Sequence, residues 1–105
     1  MAFIPLAKLH QLADGFSTTV RVRGRQLMLI HADGQSWIID SCCPHAGASL
    51  VKGRVAGGCI RCPKHGIEFD LGSGAPLGGE VVAGVAPLVR YRPVVEGDEI
   101  GLYLD

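Results

Sequence analysis

The sequence predicts an all-β chain, a small antiparallel barrel or sandwich, and three observations carry that prediction. Fifteen Gly and six Pro break the 105 residues into short runs rich in Val, Ile and Leu. No window sustains a 3.6-residue apolar period bounded by caps, so helix is limited to a turn or two. Turn dipeptides recur between the apolar runs at hairpin spacing, the pattern of stacked or closed antiparallel sheets.

In chain order, strands are expected over residues 3–6, 18–23, 27–31, 36–40, Arg54–Ala56, 58–61, 67–70, 88–95 and Glu99–Leu104. The first is apolar up to Lys8, and the second carries the β-branched run Thr18-Thr19-Val20. Leu27-Met28-Leu29-Ile30 and Trp37-Ile38-Ile39 are apolar runs of the bulky and β-branched kind that strands favour. Gly24-Arg25, Asp33-Gly34, Gly57-Gly58, Gly72-Ser73-Gly74 and Gly97-Asp98 supply the turns. Residues 78–86 are mostly small and carry no assignable strand.

Ten basic and ten acidic residues give zero net charge, which argues against nucleic acid or an anionic membrane surface as partner. The apolar run near Met1 is too short for a secretory leader or a membrane span, so a cytoplasmic protein is expected. The length suits a single domain over residues 1–105, too small to hold a second, catalytic one. Without a leader, four Cys interleaved with His point to metal rather than disulfides.

Cys43-Pro44-His45 and Cys62-Pro63-Lys64-His65 together write C-x-H-x16-C-x2-H. Two thiolates and two imidazoles at this spacing can hold a 2Fe-2S cluster, both Cys on one iron and both His on the other. Such a core is neutral when oxidised, whereas four thiolates would leave it doubly negative, so an added electron costs less. The second ring nitrogens of His45 and His65 can face solvent and offer the electron an exit. Pro44 and Pro63 fix the backbone after each Cys, while Gly47 and Gly66 let amides approach the sulfurs. The two loops define a cluster-binding subdomain at about residues 41–71.

Other readings of the same residues stay open. The four ligand types suit zinc equally well. Cys59-Ile60-Arg61-Cys62 is C-x2-C, so Cys42, Cys43, Cys59 and Cys62 could form a four-cysteine site, stranding both His. Otherwise Cys42 and Cys59 are expected as buried or partly buried thiols, with a bridge between them the lesser option. His10 and His31 fall outside any ligand spacing, Trp37 is expected in the core, and Arg21, Arg23 and Arg25 read as a solvated face.

The stretches Cys43 to Ser49 and Cys62 to Leu71 resemble the two cluster loops of soluble Rieske-type ferredoxins. Val95-Glu96-Gly97-Asp98-Glu99-Ile100 is similar to the last hairpin of the same proteins. The resemblance implies the Rieske fold, one 2Fe-2S cluster and no catalysis by this chain. It implies single-electron transport from an NAD(P)H-dependent flavin reductase to a terminal oxygenase, often one acting in aromatic hydrocarbon catabolism. It also implies a third loop screening the cluster, for which residues 83–87 have the position and character. A monomer is expected, docking partners over His45 and His65 with Ala46, Gly47, Pro63, Lys64 and Pro87 as a nearly uncharged rim.

The respiratory and photosynthetic branch of that family braces its loops with a disulfide, and the corresponding positions here are Ala48 and Lys64. It also donates Ser and Tyr hydroxyls where this chain has Ile67 and Phe69, so a lower potential is expected. A Rieske-like small subunit of a reductase such as nitrite reductase, or a zinc-stabilised binding module, are the alternatives.

Overall fold

Paired left-handed residues in the turns fix the strand registers. In a computed structural model that describes residues 1–44, 49–64, 66–78 and 84–104, Arg23-Gly24, Asp33-Gly34 and Gly57-Gly58 all have φ between 51° and 80°. Positive φ at both central residues is the I′ turn, whose twist suits a two-residue hairpin. The first of these turns lies one residue earlier than the expected Gly24-Arg25, because Arg23 takes the leading left-handed position and Arg25 already belongs to the next strand.

The described strands are β1 (Ala2–Lys8), β2 (Phe16–Val22), β3 (Arg25–Ala32), β4 (Gln35–Asp40), β5 (Arg54–Ala56), β6 (Cys59–Arg61), β7 (Glu68–Asp70), β8 (Pro76–Leu77), β9 (Arg90–Tyr91), β10 (Val94–Glu96) and β11 (Glu99–Leu104). One 3-10 turn, Leu9–Gln11, follows β1. The strands form three antiparallel sheets ordered β1-β11-β10, β2-β3-β4-β9 and β5-β6-β7-β8. The all-β expectation is met.

Strand β3 shows why the layers stack as they do. Leu27, Met28, Leu29 and Ile30 are all buried, and successive side chains point to opposite faces. Met28 and Ile30, with Ile39 of β4, enter one core with Leu50, Ile60, Phe69, Leu71 and Leu88. Leu27 and Leu29, with Ile38, enter the other with Ala7, Val22, Ile100 and Leu102. The register agrees, since Met28 faces Ile39 and Leu29 faces Ile38. The β2-β3-β4-β9 sheet is therefore the middle layer. A fully buried aliphatic side chain contributes roughly 1.5–3 kcal/mol, so both faces draw on the same two strands for stability.

One expected strand proves to be two. Residues 88–95 break at Arg92-Pro93: β9 pairs with β4, while β10 pairs with β11 in a different sheet. Pro93 has no N–H to continue a ladder, and its fixed φ turns the chain between layers. Strand β8 carried no sequence signal of its own, and its pairing with β7 comes from the turn after Asp70.

Candidate metal centre

Both Cys-containing loops hang from feet closed by backbone hydrogen bonds. After β4, the Ser41 amide donates to the Gln26 carbonyl at 2.9 Å, and the Leu50 amide donates to the Ser41 carbonyl at 2.6 Å. Cys42 and Ser49 form a further β-bridge inside that closure. Between β6 and β7, the Cys62 amide donates to the Ile67 carbonyl at 2.8 Å, and the Gly66 amide donates back to the Cys62 carbonyl at 2.9 Å. Gly66 sits at φ 73°, a conformation that costs any residue with a Cβ, so this turn demands glycine.

These feet carry Cys43 and Cys62 into one buried cluster, each about 1% exposed, packed with Leu50, Ile60, Ile67 and Phe69. His45, together with residues 46–48, and His65 lie outside the described residues, as does Ala83 of the expected third loop. Val85 packs against the core containing both Cys. The Leu88 amide donates to the Gly74 carbonyl at 2.8 Å, and the Asp40 amide donates to the Val89 carbonyl at 3.0 Å. The loop is thus tied to the second sheet segment and to the foot of the first Cys loop.

Cys42 is a correction: it is exposed, not buried. Cys42 is exposed between buried Ser41 and buried Cys43, so it faces away from its two neighbours. A four-cysteine site would need Cys42 and Cys43 to converge, and this alternation separates them. Cys59 is half-buried as expected, and its Sγ donates to the Gly57 carbonyl at 3.8 Å, so it carries a thiol hydrogen rather than a bridge. Burial, then the carboxylates of Asp70 and Glu68, push its pKa up and disfavour the thiolate that a metal would require.

Trp37 packs on the core that holds Cys43 and Cys62, as a core residue should. His31 Nδ1 is 2.7 Å from Ser36 Oγ within the β3–β4 hairpin, and His10 is exposed in the 3-10 turn. Two features escaped the sequence reading. Arg25 is more than a solvated cation: its Nη1 donates to the Tyr91 hydroxyl at 3.1 Å, and that hydroxyl donates to Asp40 Oδ1 at 2.8 Å, next to the first loop's foot. The second is a row of cations beside the Cys62 loop, Lys52, Arg54 and Arg61, where only Lys64 was expected. The Gly57-Gly58 turn holds the signal for it, because a two-residue hairpin there must set Arg54 opposite Arg61.

Residues 2–88 match the Rieske 2Fe-2S domain family. The chain is 31% identical over 75 residues to the ferredoxin component of naphthalene 1,2-dioxygenase/salicylate 5-hydroxylase systems from a Ralstonia species, covering 71% of this chain and 72% of that protein. It is 40% identical over 62 residues, 57% of its length, to the cholesterol 7-desaturase of Xenopus laevis, of which it spans only 14%. Among solved structures, the ferredoxin of carbazole 1,9a-dioxygenase from Nocardioides aromaticivorans IC177 superposes with a TM-score of 0.82 at 32% identity, covering 96% of both chains.

Proposed function

The chain belongs to the Rieske 2Fe-2S domain family, and from that premise we propose that Cys43, His45, Cys62 and His65 hold one such cluster in a single domain. The observation that carries the ligand assignment is the joint burial of Cys43 and Cys62 in one core, on loops whose feet are each fastened to strands. The donor chemistry fits: two thiolates bring the oxidised core to zero charge, and neutral imidazoles leave the other iron ready for an electron. The cluster supplies a one-electron couple when bound. The protein's part is to fix the loops and exclude water with Val85, Phe69 and Ile67.

The activity that suits such a site is single-electron transport from a flavin reductase to a terminal oxygenase, with no substrate chemistry in this chain. The relatives named as ferredoxin components of dioxygenase systems support that reading. Aromatic compounds are accordingly the substrate class of the oxygenase. No helix among the described residues is long and apolar enough to cross a membrane, and a cytoplasmic, monomeric carrier is the form proposed.

Iron and acid-labile sulfide analysis of the purified protein tests the centre. Two irons and two sulfides per chain are expected, with a visible spectrum that bleaches on one-electron reduction. Cys43→Ser and Cys62→Ser should lose iron, whereas Cys42→Ser and Cys59→Ser should keep it. Stoichiometric zinc without sulfide would overturn the reading, and a colourless Cys42→Ser beside a brown Cys43→Ser would overturn the ligand set.

A further inference from the structure

We infer that a groove beside the Cys62 loop recognises a carboxylate-bearing face on the protein that exchanges electrons with this chain. The inference rests on the electron-carrier reading and adds the chemistry of the docking surface.

The groove has a volume of about 470 Å³ and is lined by Lys52, Arg54, Arg61, Cys62, Pro63 and Gly66. Three of the six are cations and none is a carboxylate. Arg54 and Arg61 are direct cross-strand partners on β5 and β6, so their side chains share one face of the sheet. Like charges in that relation disfavour the hairpin. Glu68 stands opposite Arg61 on the other side, yet no ion pair joins them among the described residues. The guanidinium of Arg61 instead lies over the Cys62 loop, its Nη2 3.1 Å from where a Cβ on Gly66 would sit. Among the described residues, Lys8 pairs with Asp98 and Glu99, in the outer β1-β11-β10 sheet and its turn.

The chain as a whole is uncharged, so this concentration of cations is local. A hairpin that sets two arginines face to face, with Glu68 beside Arg61 but in no ion pair with it, is less stable than it could be. Such a departure from local consistency belongs to a functional surface. Its position beside a proposed ligand loop puts an incoming carboxylate next to the route of the electron. The groove lining has no aromatic side chain on which a base could stack, which favours an acidic protein face over single-stranded nucleic acid. The groove adds a cationic flank to the nearly uncharged rim expected from sequence, and attraction there should raise encounter rates and weaken with salt.

Small oxidants of opposite charge test the groove directly. The reduced holoprotein passes one electron to ferricyanide, giving ferrocyanide, or to tris(phenanthroline)cobalt(III), giving cobalt(II). With the anionic oxidant the rate should fall as salt rises, and Lys52→Glu/Arg54→Glu should lower it about tenfold at low salt. With the cationic oxidant both trends should reverse. Arg23→Glu, on the β2–β3 turn, should change neither. Independently of the cluster, the wild-type chain should be retained on a carboxylate cation exchanger at neutral pH and the double variant should flow through. Equal rates and equal retention in the double variant, or the same losses in Arg23→Glu, would overturn the groove. So would a single-stranded oligonucleotide that binds through these cations while ferricyanide rates stay unchanged. If the purified protein carries no cluster, or passes an electron to neither oxidant, the carrier reading fails while the column still judges the groove.

Discussion

Side chains next to the two Cys loops set both the potential and the tolerance of the site. Phe69 is fully buried and Ile67 nearly so, and neither carries a hydroxyl that could donate to sulfur. Negative charge on the sulfurs is then less compensated, and a potential near the low end of the Rieske range, around −150 mV, is expected. Voltammetry returning more than about +100 mV would mean that backbone donors make up the difference. Gly66 is the most sensitive neighbour. Its φ of 73° and the Arg61 guanidinium beside it leave little room for a methyl group. Gly66→Ala should cost about 1–3 kcal/mol, measured by denaturant unfolding of the holoprotein, and a loss below the scatter of replicate curves would show that the loop relaxes freely. The Cys-His spacing was legible because ligand chemistry depends on residue type and separation alone. The exposure of Cys42 was not, because it depends on which face of an extended segment each residue takes.

At the level of strands, the middle sheet is fastened by a polar link that apolar patterning could not disclose. Tyr91 on β9 joins Arg25 on β3 to Asp40 at the end of β4, and Arg25 and Tyr91 are 66 residues apart. Tyr91→Phe should destabilise the protein by about 1–2 kcal/mol and loosen the foot of the first Cys loop. Burial first, then the hydrogen bond to Asp40, raise the Tyr91 pKa, while Arg25 opposes them. A raised pKa means that the folded chain holds this proton more tightly than the unfolded chain. Its stabilisation is complete below the ordinary tyrosine value near 10 and is lost as pH climbs through the folded value. Cys59 adds a loss of the same sign, beginning above its ordinary value of 9.0. Unfolding curves from pH 8 to 11 should therefore decline less steeply for Tyr91→Phe than for wild type; parallel declines would assign the alkaline loss to other groups. Strands with two-residue Gly turns were readable because the turn dictates the pairing. The span from Leu88 to Val95 misled because its composition is that of a strand throughout, and only Pro93 betrays the crossing between sheets.

The described residues form a stack of three sheets with two cores, and one of these cores contains the Cys that would hold metal. Strands β3 and β4 divide their side chains between both, so each face of the middle sheet answers to a different neighbour. Leu27-Met28-Leu29-Ile30 was legible as a strand, but its place as the shared middle layer required the tertiary pairing of Met28 with Ile39 and of Leu29 with Ile38. The core shared by β1, β11 and the middle sheet has Ala7, Ile100 and Leu102 and no Cys. Removing iron with a chelator under reducing conditions should therefore act unevenly, because metal binding contributes folding free energy where its ligands are. Without metal, Cys43 and Cys62 become buried thiols on loops, and the strands flanking Cys62, β6 and β7, are only three residues long each. Hydrogen exchange in the apoprotein should lose protection across β5 to β8, while the β1–β11 pair, seven and six residues long, keeps most of its own. Replacing Ile38 by Ala should give the opposite pattern in the holoprotein, exposing β1 and β11 before the Cys loops. Simultaneous loss of protection in all three sheets on chelation would show instead that the middle sheet couples its two faces into one cooperative unit, with the metal stabilising the entire fold.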